Sequence, residues 1–366
     1  MDARTRKGNM MKSTICERLH DEKFVLIAEI GVNYYDIAAK DGITPLEAAK
    51  KMICEAKKAG IHAVKFQTYK AETLAAKASP SYWDTTEETT TSQYELFKKF
   101  DSFGYEEYKE LKEYSDEQQI EFLSTAFDFA SADYLEELIG VYKISSSDLS
   151  NLPFIEYQAK KNKPIILSVG ASELDEIELA IKTIRSCNQQ MLVLMHCVLE
   201  YPTPYQDANL RKIASLKAHF PDVIIGYSDH TKPTEDCDVI KSAYLLGAMC
   251  VEKHFTLDKT LSGNDHYHAM DEKDARQIIQ GIEFIEQICG NGAIRCLETE
   301  QTARKNARRS IVAAVDIPKD TIIKQEMLTF KRPGTGISPT RLEELIGKRA
   351  VEFISEDTIL MDGMIK

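Results

Sequence analysis

GYSDHT at residues 226–231 and VEKHFT at residues 251–256 each place a histidine, His230 and His254, just beyond a short apolar run. One strand–helix–strand unit of a parallel sheet spans about that separation and brings both residues to the same rim on neighbouring strands. There two imidazoles could share one metal ion. Whether the chain builds such a sheet depends on what surrounds the two stretches.

Outward from them the same phrase recurs. The runs are FVLIAEI (24–30), HAVKFQ (62–67), IEFLST (120–125), VYKIS (141–145), PIILSVG (164–170), MLVLMHC (191–197), VIIGYS (223–228) and CVEKHF (250–255). They are continuous rather than alternating, as in strands covered on both faces. Between them lie amphipathic segments at 45–59, 174–184, 208–219, 236–246 and 274–288, the first with Pro45 at its start and Gly60 after its end. Eight such units in about 270 residues predict an α/β fold, a closed (β/α)8 TIM barrel, whose active site lies at the C-terminal ends of the strands.

Bulk properties narrow the function. A net charge of −12 argues against nucleic-acid binding, and no apolar run approaches the ~20 residues of a membrane span. Residues 1–23 lack the apolar segment of a secretory signal and read as a frayed N-terminal extension. Eight cysteines without a CxxC pair read as buried reduced thiols, which points to a cytoplasmic protein. The barrel is expected over 24–289 and a linker over 290–307. A small second domain over 308–366 repeats one phrase, DIPKDTIIKQEML and FISEDTILMDGMI. The excursion 68–103, with the only tryptophan, Trp83, reads either as a lid or binding loop or as a helical hairpin shielding the barrel.

The predicted strand ends carry Glu29, Lys65, Gln67, Thr125, Lys143, Ser146, Asp148, Ser168, Ser228, His230, Glu252 and His254. Two lysines with hydroxyls make a cage for a phosphate or carboxylate, and two histidines near carboxylates make a divalent-metal site with open positions. Singly, each has an ordinary explanation, a snorkelling lysine or a hydrogen-bonded core histidine. Their common rim is what favours chemistry.

The stretches AEIGVN, VKFQT, LSTAFD, YKISSSD, YPTPYQDANL, GYSDHT, VEKHFTLDK and FKRPGTGIS resemble the sialic acid synthase family, the N-acetylneuraminate and related nonulosonic acid synthases, over about residues 24–366. The resemblance implies a barrel followed by an antifreeze-like SAF (β-clip) domain, and a homodimer in which that domain caps the partner's barrel. It implies a transferase that condenses phosphoenolpyruvate with an N-acyl amino-sugar aldehyde of the N-acetylmannosamine type, releasing phosphate with C–O cleavage. By resemblance His230 and His254 hold Mn2+ or Mg2+, and Glu29, Lys65 and Lys143 are catalytic. Thr125, Ser146, Ser168 and Ser228 bind substrate on the phosphoenolpyruvate side, Asp148 is a further substrate-binding residue, and Gln67, Tyr201 and Asp265 face the sugar or the reacting centre. Arg332 reaches the sugar's N-acyl group in the partner subunit.

Three departures stand out. NYYDIAAKDG replaces the NHxG of many members, with Tyr34 at its histidine; Leu199 takes the place of an asparagine that binds phosphoenolpyruvate in some members; and NDHYHAMD adds His266 and His268, read first as solvent-facing loop residues and second as residues that touch the metal or the sugar. N-acetylneuraminate synthesis is the first expectation, with legionaminate or pseudaminate synthesis from a 2,4-diacetamido-6-deoxy sugar as the alternative. An eight-carbon keto-sugar phosphate synthase and a carbohydrate-binding protein on a barrel scaffold are the more distant ones.

Overall fold

The computed structural model describes residues 14–83, 85–86, 88–263 and 265–366. Eight parallel strands close in sequence order into a barrel: β1 Val25–Gly31, β2 Ala63–Thr68, β3 Glu121–Ala126, β4 Tyr142–Ile144, β5 Ile165–Ser168, β6 Leu192–Cys197, β7 Ile224–Asp229 and β8 Cys250–His254. Each lies on one of the eight apolar runs. The register sets Glu29 beside both Lys65 and His254, Thr125 beside Lys143, and Ser228 beside Glu252. Because side chains alternate in and out, a slip of one residue would turn all of these toward the helices.

The lower half of the barrel is filled by Val25, Ile27, Ala63, Leu123, Val141, Ile166, Val193, Met195 and Cys250. A helix at Ile15–His20 closes this layer, contributing the buried Ile15 and Leu19 to the same cluster. The Ile15 N–H donates to Glu121 Oε2 at 2.6 Å, and Thr14 and Glu17 cap the helix reciprocally. The expectation of a frayed extension therefore fails from Thr14 onward. ICERLH is too short to show a period, and six residues do not hold a helix by themselves; the open barrel end supplies the apolar partner. Residues 1–13 lie outside the described residues.

Helices form as expected at Pro45–Lys58, Leu174–Arg185 and Glu272–Cys289, and begin later than expected at Arg211–His219 and Asp238–Leu245. Asn209 and Cys237 adopt φ of 43° and 53°, left-handed conformations through which a right-handed helix does not run. No helix among the described residues is long and apolar enough to cross a membrane.

A second compact unit runs from Cys289 to Lys366. Its strands β9 Ser310–Ala313 and β10 Leu328–Lys331 pair antiparallel over a core that includes Ile311, Ile317, Ile354 and Leu360. The repeated phrase is structural: Ile317 and Ile354 bridge each other, and Asp320 and Asp357 occupy the same left-handed turn, both at φ 64°. Aspartate tolerates that conformation better than most residues with a Cβ.

Candidate active site

Alternation along the strands points Glu29, Lys65, Thr125, Lys143, Ser168, Ser228, Glu252 and His254 into the upper barrel, all of them buried. Lys65 Nζ pairs with Glu29 Oε2 and stands 3.8 Å from Glu252 Oε1. Lys143 Nζ stands 3.8 Å from the same Glu252 oxygen. Hydroxyls complete the set: Lys65 donates to Thr125 Oγ1 at 3.0 Å, Lys143 to Ser168 Oγ at 2.8 Å, and Ser228 to Glu252 Oε1 at 3.4 Å. Gln67 Nε2 donates to the other Glu29 oxygen at 2.8 Å. Gly31 permits that contact, since a Cβ there would lie 3.2 Å from Gln67 Nε2 and 3.3 Å from Glu29 Oε1, at a φ of +54°.

Two lysines and two carboxyl groups thus share one buried site, and burial sorts them. It pushes the Glu29 carboxyl up to about 7, against Lys65 and with help from Glu252. Burial acts in the same sense on Glu252, but Lys143 and Lys65 together overcome it and hold that carboxyl below its usual range. Burial lowers Lys143, whereas for Lys65 it is outweighed by Glu252 and Glu29, which raise it. Lys65 is therefore the fixed cation, and Glu29 is the group poised to exchange a proton near neutrality.

Beside this cluster Ser146 Oγ accepts from the Gly170 N–H at 2.9 Å and lies 3.0 Å from Cys197 Sγ. A Cβ at Gly170 would fall 2.5 Å from Cys197 Sγ and 3.2 Å from Leu199 Cγ, so this wall admits no larger residue. Asp148 is half-buried on the turn after Ser146, with its hydrogen bond from Asn151 Nδ2 at 3.3 Å rather than from either rim lysine.

The histidines form the second part of the rim. Ring centroids of His230 and His254 are 5.6 Å apart, and His268 adds a third ring 4.9 Å from His254. Tyr201 lies 4.2 Å from the His230 ring. His230 Nδ1 meets the Val198 carbonyl at 2.7 Å; a carbonyl only accepts, so the neutral ring keeps its lone pair on Nε2. One ligand atom each of His254, Asp265 and His268 lies within 4.8 Å of the others. His254 Nδ1 and both ring nitrogens of His268 are buried without a hydrogen-bond partner, a costly state for polar atoms. Burial holds His230 down to about 4 and keeps His254 and His268 well below the usual imidazole value, so all three are neutral near pH 7. Unpartnered neutral imidazoles facing a carboxylate fit a divalent cation.

The matches to known proteins agree with this geometry. Residues 52–294 match the NeuB family and residues 308–366 match the SAF domain. The chain belongs to the NeuB family. Similar members include an N,N'-diacetyllegionaminic acid synthase of Campylobacter jejuni, 37% identical over 93% of this chain and 100% of that one. The N-acetylneuraminate-9-phosphate synthase of Homo sapiens is 30% identical over 93% of this chain and 92% of its own. A crystal structure of the N-acetylneuraminic acid synthetase of Leptospira borgpetersenii, 32% identical, superimposes with a TM-score of 0.65 over 77% of this chain and 90% of that chain. Family members are named synthases, and the chain is an enzyme of this class rather than a binding scaffold.

Within this NeuB-family barrel the first reading of the two loop histidines needs correction. His266 and His268 are not solvent-facing: both are fully buried. His266 meets Thr256 Oγ1 at 2.7 Å and Asp36 Oδ2 at 3.1 Å, and His268 belongs to the donor triad. Their loop is drawn inward because Met270 N–H donates to the His254 carbonyl and Thr256 N–H to the Met270 carbonyl, which extends β8. Tyr34 stands outside the rim, stacked on Phe103 at 4.8 Å as part of a helix Tyr34–Asp41.

The excursion 68–103 contributes Trp83, Leu96, Phe97 and Phe100 to a pocket shared with Gln67 and His254, which favours the binding-loop reading over a shield. Arg332 is exposed at the end of β10. Glu252, which the sequence places at the rim, has no role assigned to it from the sequence, and the structure makes it the shared partner of both lysines. Its two-residue spacing from His254 already placed it on the same face.

Proposed function

We propose that the chain is a nonulosonic acid synthase condensing phosphoenolpyruvate with an N-acyl amino-sugar aldehyde. The observation that carries this is the juxtaposition of two hydroxyl-bonded rim lysines with a histidine–carboxylate donor set at one barrel mouth. Lys65 and Lys143, with Thr125, Ser146, Ser168 and Ser228, bind the phosphate and carboxylate of phosphoenolpyruvate. Gln67, Tyr201 and Asp265 face the sugar. A divalent cation, Mn2+ or Mg2+, would be held by His254 with His230, Asp265 and His268, and supplies Lewis-acid polarisation of the aldehyde. Carbon 3 of phosphoenolpyruvate forms the bond to the aldehyde carbon. The cation that develops at carbon 2 is stabilised by the buried carboxylates of Glu252 and Glu29. Water adds at carbon 2 and Glu29 takes its first proton, while the former aldehyde oxygen takes up a proton to become the new hydroxyl; the carbon–oxygen bond to phosphate then breaks as the hydroxyl left on carbon 2 gives its proton to the departing phosphate and becomes the keto group. The reading also includes a homodimer that exchanges SAF domains and brings Arg332 to the partner's sugar; it rests on the resemblance and on the exposure of Arg332.

Within the class, a 2,4-diacetamido-6-deoxy acceptor is favoured over N-acetylmannosamine. Two relatives named N,N'-diacetyllegionaminic acid synthases are 37% and 36% identical, against 30% for the human 9-phosphate synthase. Phosphate release from phosphoenolpyruvate with Mn2+ tests this against both sugars, arabinose 5-phosphate and no acceptor. Release with one amino sugar, abolished by chelator, is expected; release with arabinose 5-phosphate alone would refute the reading. Arg332→Ala is expected to raise the acceptor KM about tenfold or more while leaving phosphoenolpyruvate affinity unchanged.

Glu29 also sets a pH dependence. With its carboxyl at about 7, it is mostly protonated at pH 6 and ionised at pH 8, so kcat/KM falls as pH drops below 7. Glu29→Gln is expected to remove that limb and lower kcat roughly 10²–10⁴-fold. A profile flat from pH 6 to 8 in the unmodified enzyme would contradict the assignment.

A further inference from the structure

We infer that the buried ion pair of Asp229 and Lys253 is a positioning strut for the cation site and sets how far His230 and His254 stand from each other. This rests on the synthase reading, because it takes those two histidines as metal ligands. The β7–β8 ladder ends at the pair itself, with Asp229 opposite Lys253. β8 runs one residue further, to His254, but that residue is paired with Glu29 of β1. His230 lies just beyond the end of β7. Among the described residues no rung of the ladder therefore ties one histidine to the other, although their ring centroids stand 5.6 Å apart.

The pair supplies that tie from behind. Alternation turns Asp229 and Lys253 away from the histidines, toward a recess lined by Ile240, Met270 and Ile278. Both are buried, and Lys253 Nζ lies 2.6 Å from Asp229 Oδ2. The same ammonium donates to the Thr231 carbonyl at 2.7 Å, reaching past His230 on the neighbouring strand. Asp229 Oδ1 in turn accepts from the Thr231 N–H at 2.9 Å, the Thr231 hydroxyl at 2.8 Å and the Tyr227 hydroxyl at 3.0 Å. The residues on both sides of His230 are thus fastened to the residue before His254. Asp274, the other carboxylate of the recess, is taken by Lys259 and by the Asp271 N–H. Two further bonds to His230, from its ring to the Val198 carbonyl and from the Thr203 N–H to its own carbonyl, tie it to the loop after β6 and not to β8. An ion pair sealed among aliphatic side chains contributes little net stability, since desolvation offsets its attraction. What it adds is direction: an ammonium with two fixed acceptors allows one spacing of the strand ends, where apolar side chains would allow several.

Asp229→Asn together with Lys253→Met removes both charges at once, so the net charge is unchanged, and the amide still accepts from Thr231 and Tyr227. Titration calorimetry of the full-length, metal-free enzyme with Mn2+ reads the affinity. The electron paramagnetic resonance spectrum of the bound Mn2+ reads the geometry of its ligands. The paired substitution is expected to weaken Mn2+ binding about 10- to 100-fold and to alter that spectrum, with the denaturant midpoint of the metal-free chain unchanged or higher. In a His230→Ala background it is expected to cost no more than about twofold, because the strut then has no second ring to place. The inference is overturned if the paired substitution keeps the affinity within about threefold, or if its cost is as large without His230, as a merely structural role would give. Should that chain fail to fold, Tyr227→Phe takes one hydrogen bond from Asp229 and leaves the ion pair in place. A loss of about threefold or more that disappears in the His230→Ala background then supports the inference, and a smaller one overturns it. Phosphate release by the unmodified enzyme keeps the two readings apart. Turnover without Mn2+ binding would sustain the synthase reading and sink the strut, whereas the expected affinities without phosphate release would do the reverse.

Discussion

Glu252→Gln is expected to lower stability by about 3–5 kcal/mol, because it leaves two buried ammonium groups facing one remaining carboxylate. In the intact site Lys65 and Lys143 each lie 3.8 Å from the same Glu252 oxygen, while Glu29 pairs with Lys65 alone. Loss of Glu252 therefore strands Lys143 in particular. Burial already lowers that lysine, and Glu252 is the first of the influences that oppose burial. The amide keeps the shape and still accepts from Ser228, so lost packing does not account for the effect. Adding Lys143→Met to Glu252→Gln should recover much of the loss, since one balanced pair, Lys65–Glu29, then remains. Denaturant midpoints of the two single variants and the double variant measure this. A single-variant loss below about 1 kcal/mol would mean that water reaches the cluster and screens it.

His254→Ala and His268→Ala are each expected to weaken Mn2+ binding on the order of 10²-fold or more, and His266→Ala about tenfold. The first two remove donor atoms that are buried without hydrogen-bond partners, whereas His266 acts by holding Asp36 and Thr256. Titration calorimetry of the metal-free full-length enzyme reads the affinity without turnover. His230 offers an internal comparison: its Nδ1 is tied to the Val198 carbonyl, so its substitution removes an oriented ring with a lone pair on Nε2. If His268→Ala keeps its affinity within threefold while His230→Ala loses it, the cation is held by the pair on β7 and β8 alone. The loop histidine would then only pack beneath it.

Much of the barrel was legible because parallel strands buried on both faces leave continuous apolar runs, and all eight strands fell on such runs. The rim residues were legible for a related reason. Strand alternation is strict, so Lys65 with Gln67, and His254 with Glu252, share a face once the strand is located. The repeated phrase of the second unit carried its own turn chemistry, which reappears as left-handed Asp320 and Asp357. From the sequence by itself came the barrel, the order of its strands, the charged rim and the family resemblance. Only the tertiary structure decided which of those charges meet. The convergence of both lysines on one Glu252 oxygen depends on register between strands far apart in sequence. The burial of His266 and His268 depends on a loop with no periodicity folding back along β8. The helix Ile15–His20 exists because the barrel end beneath it is apolar and open. Each of these follows from contacts between distant segments, and local propensity carries no record of such contacts.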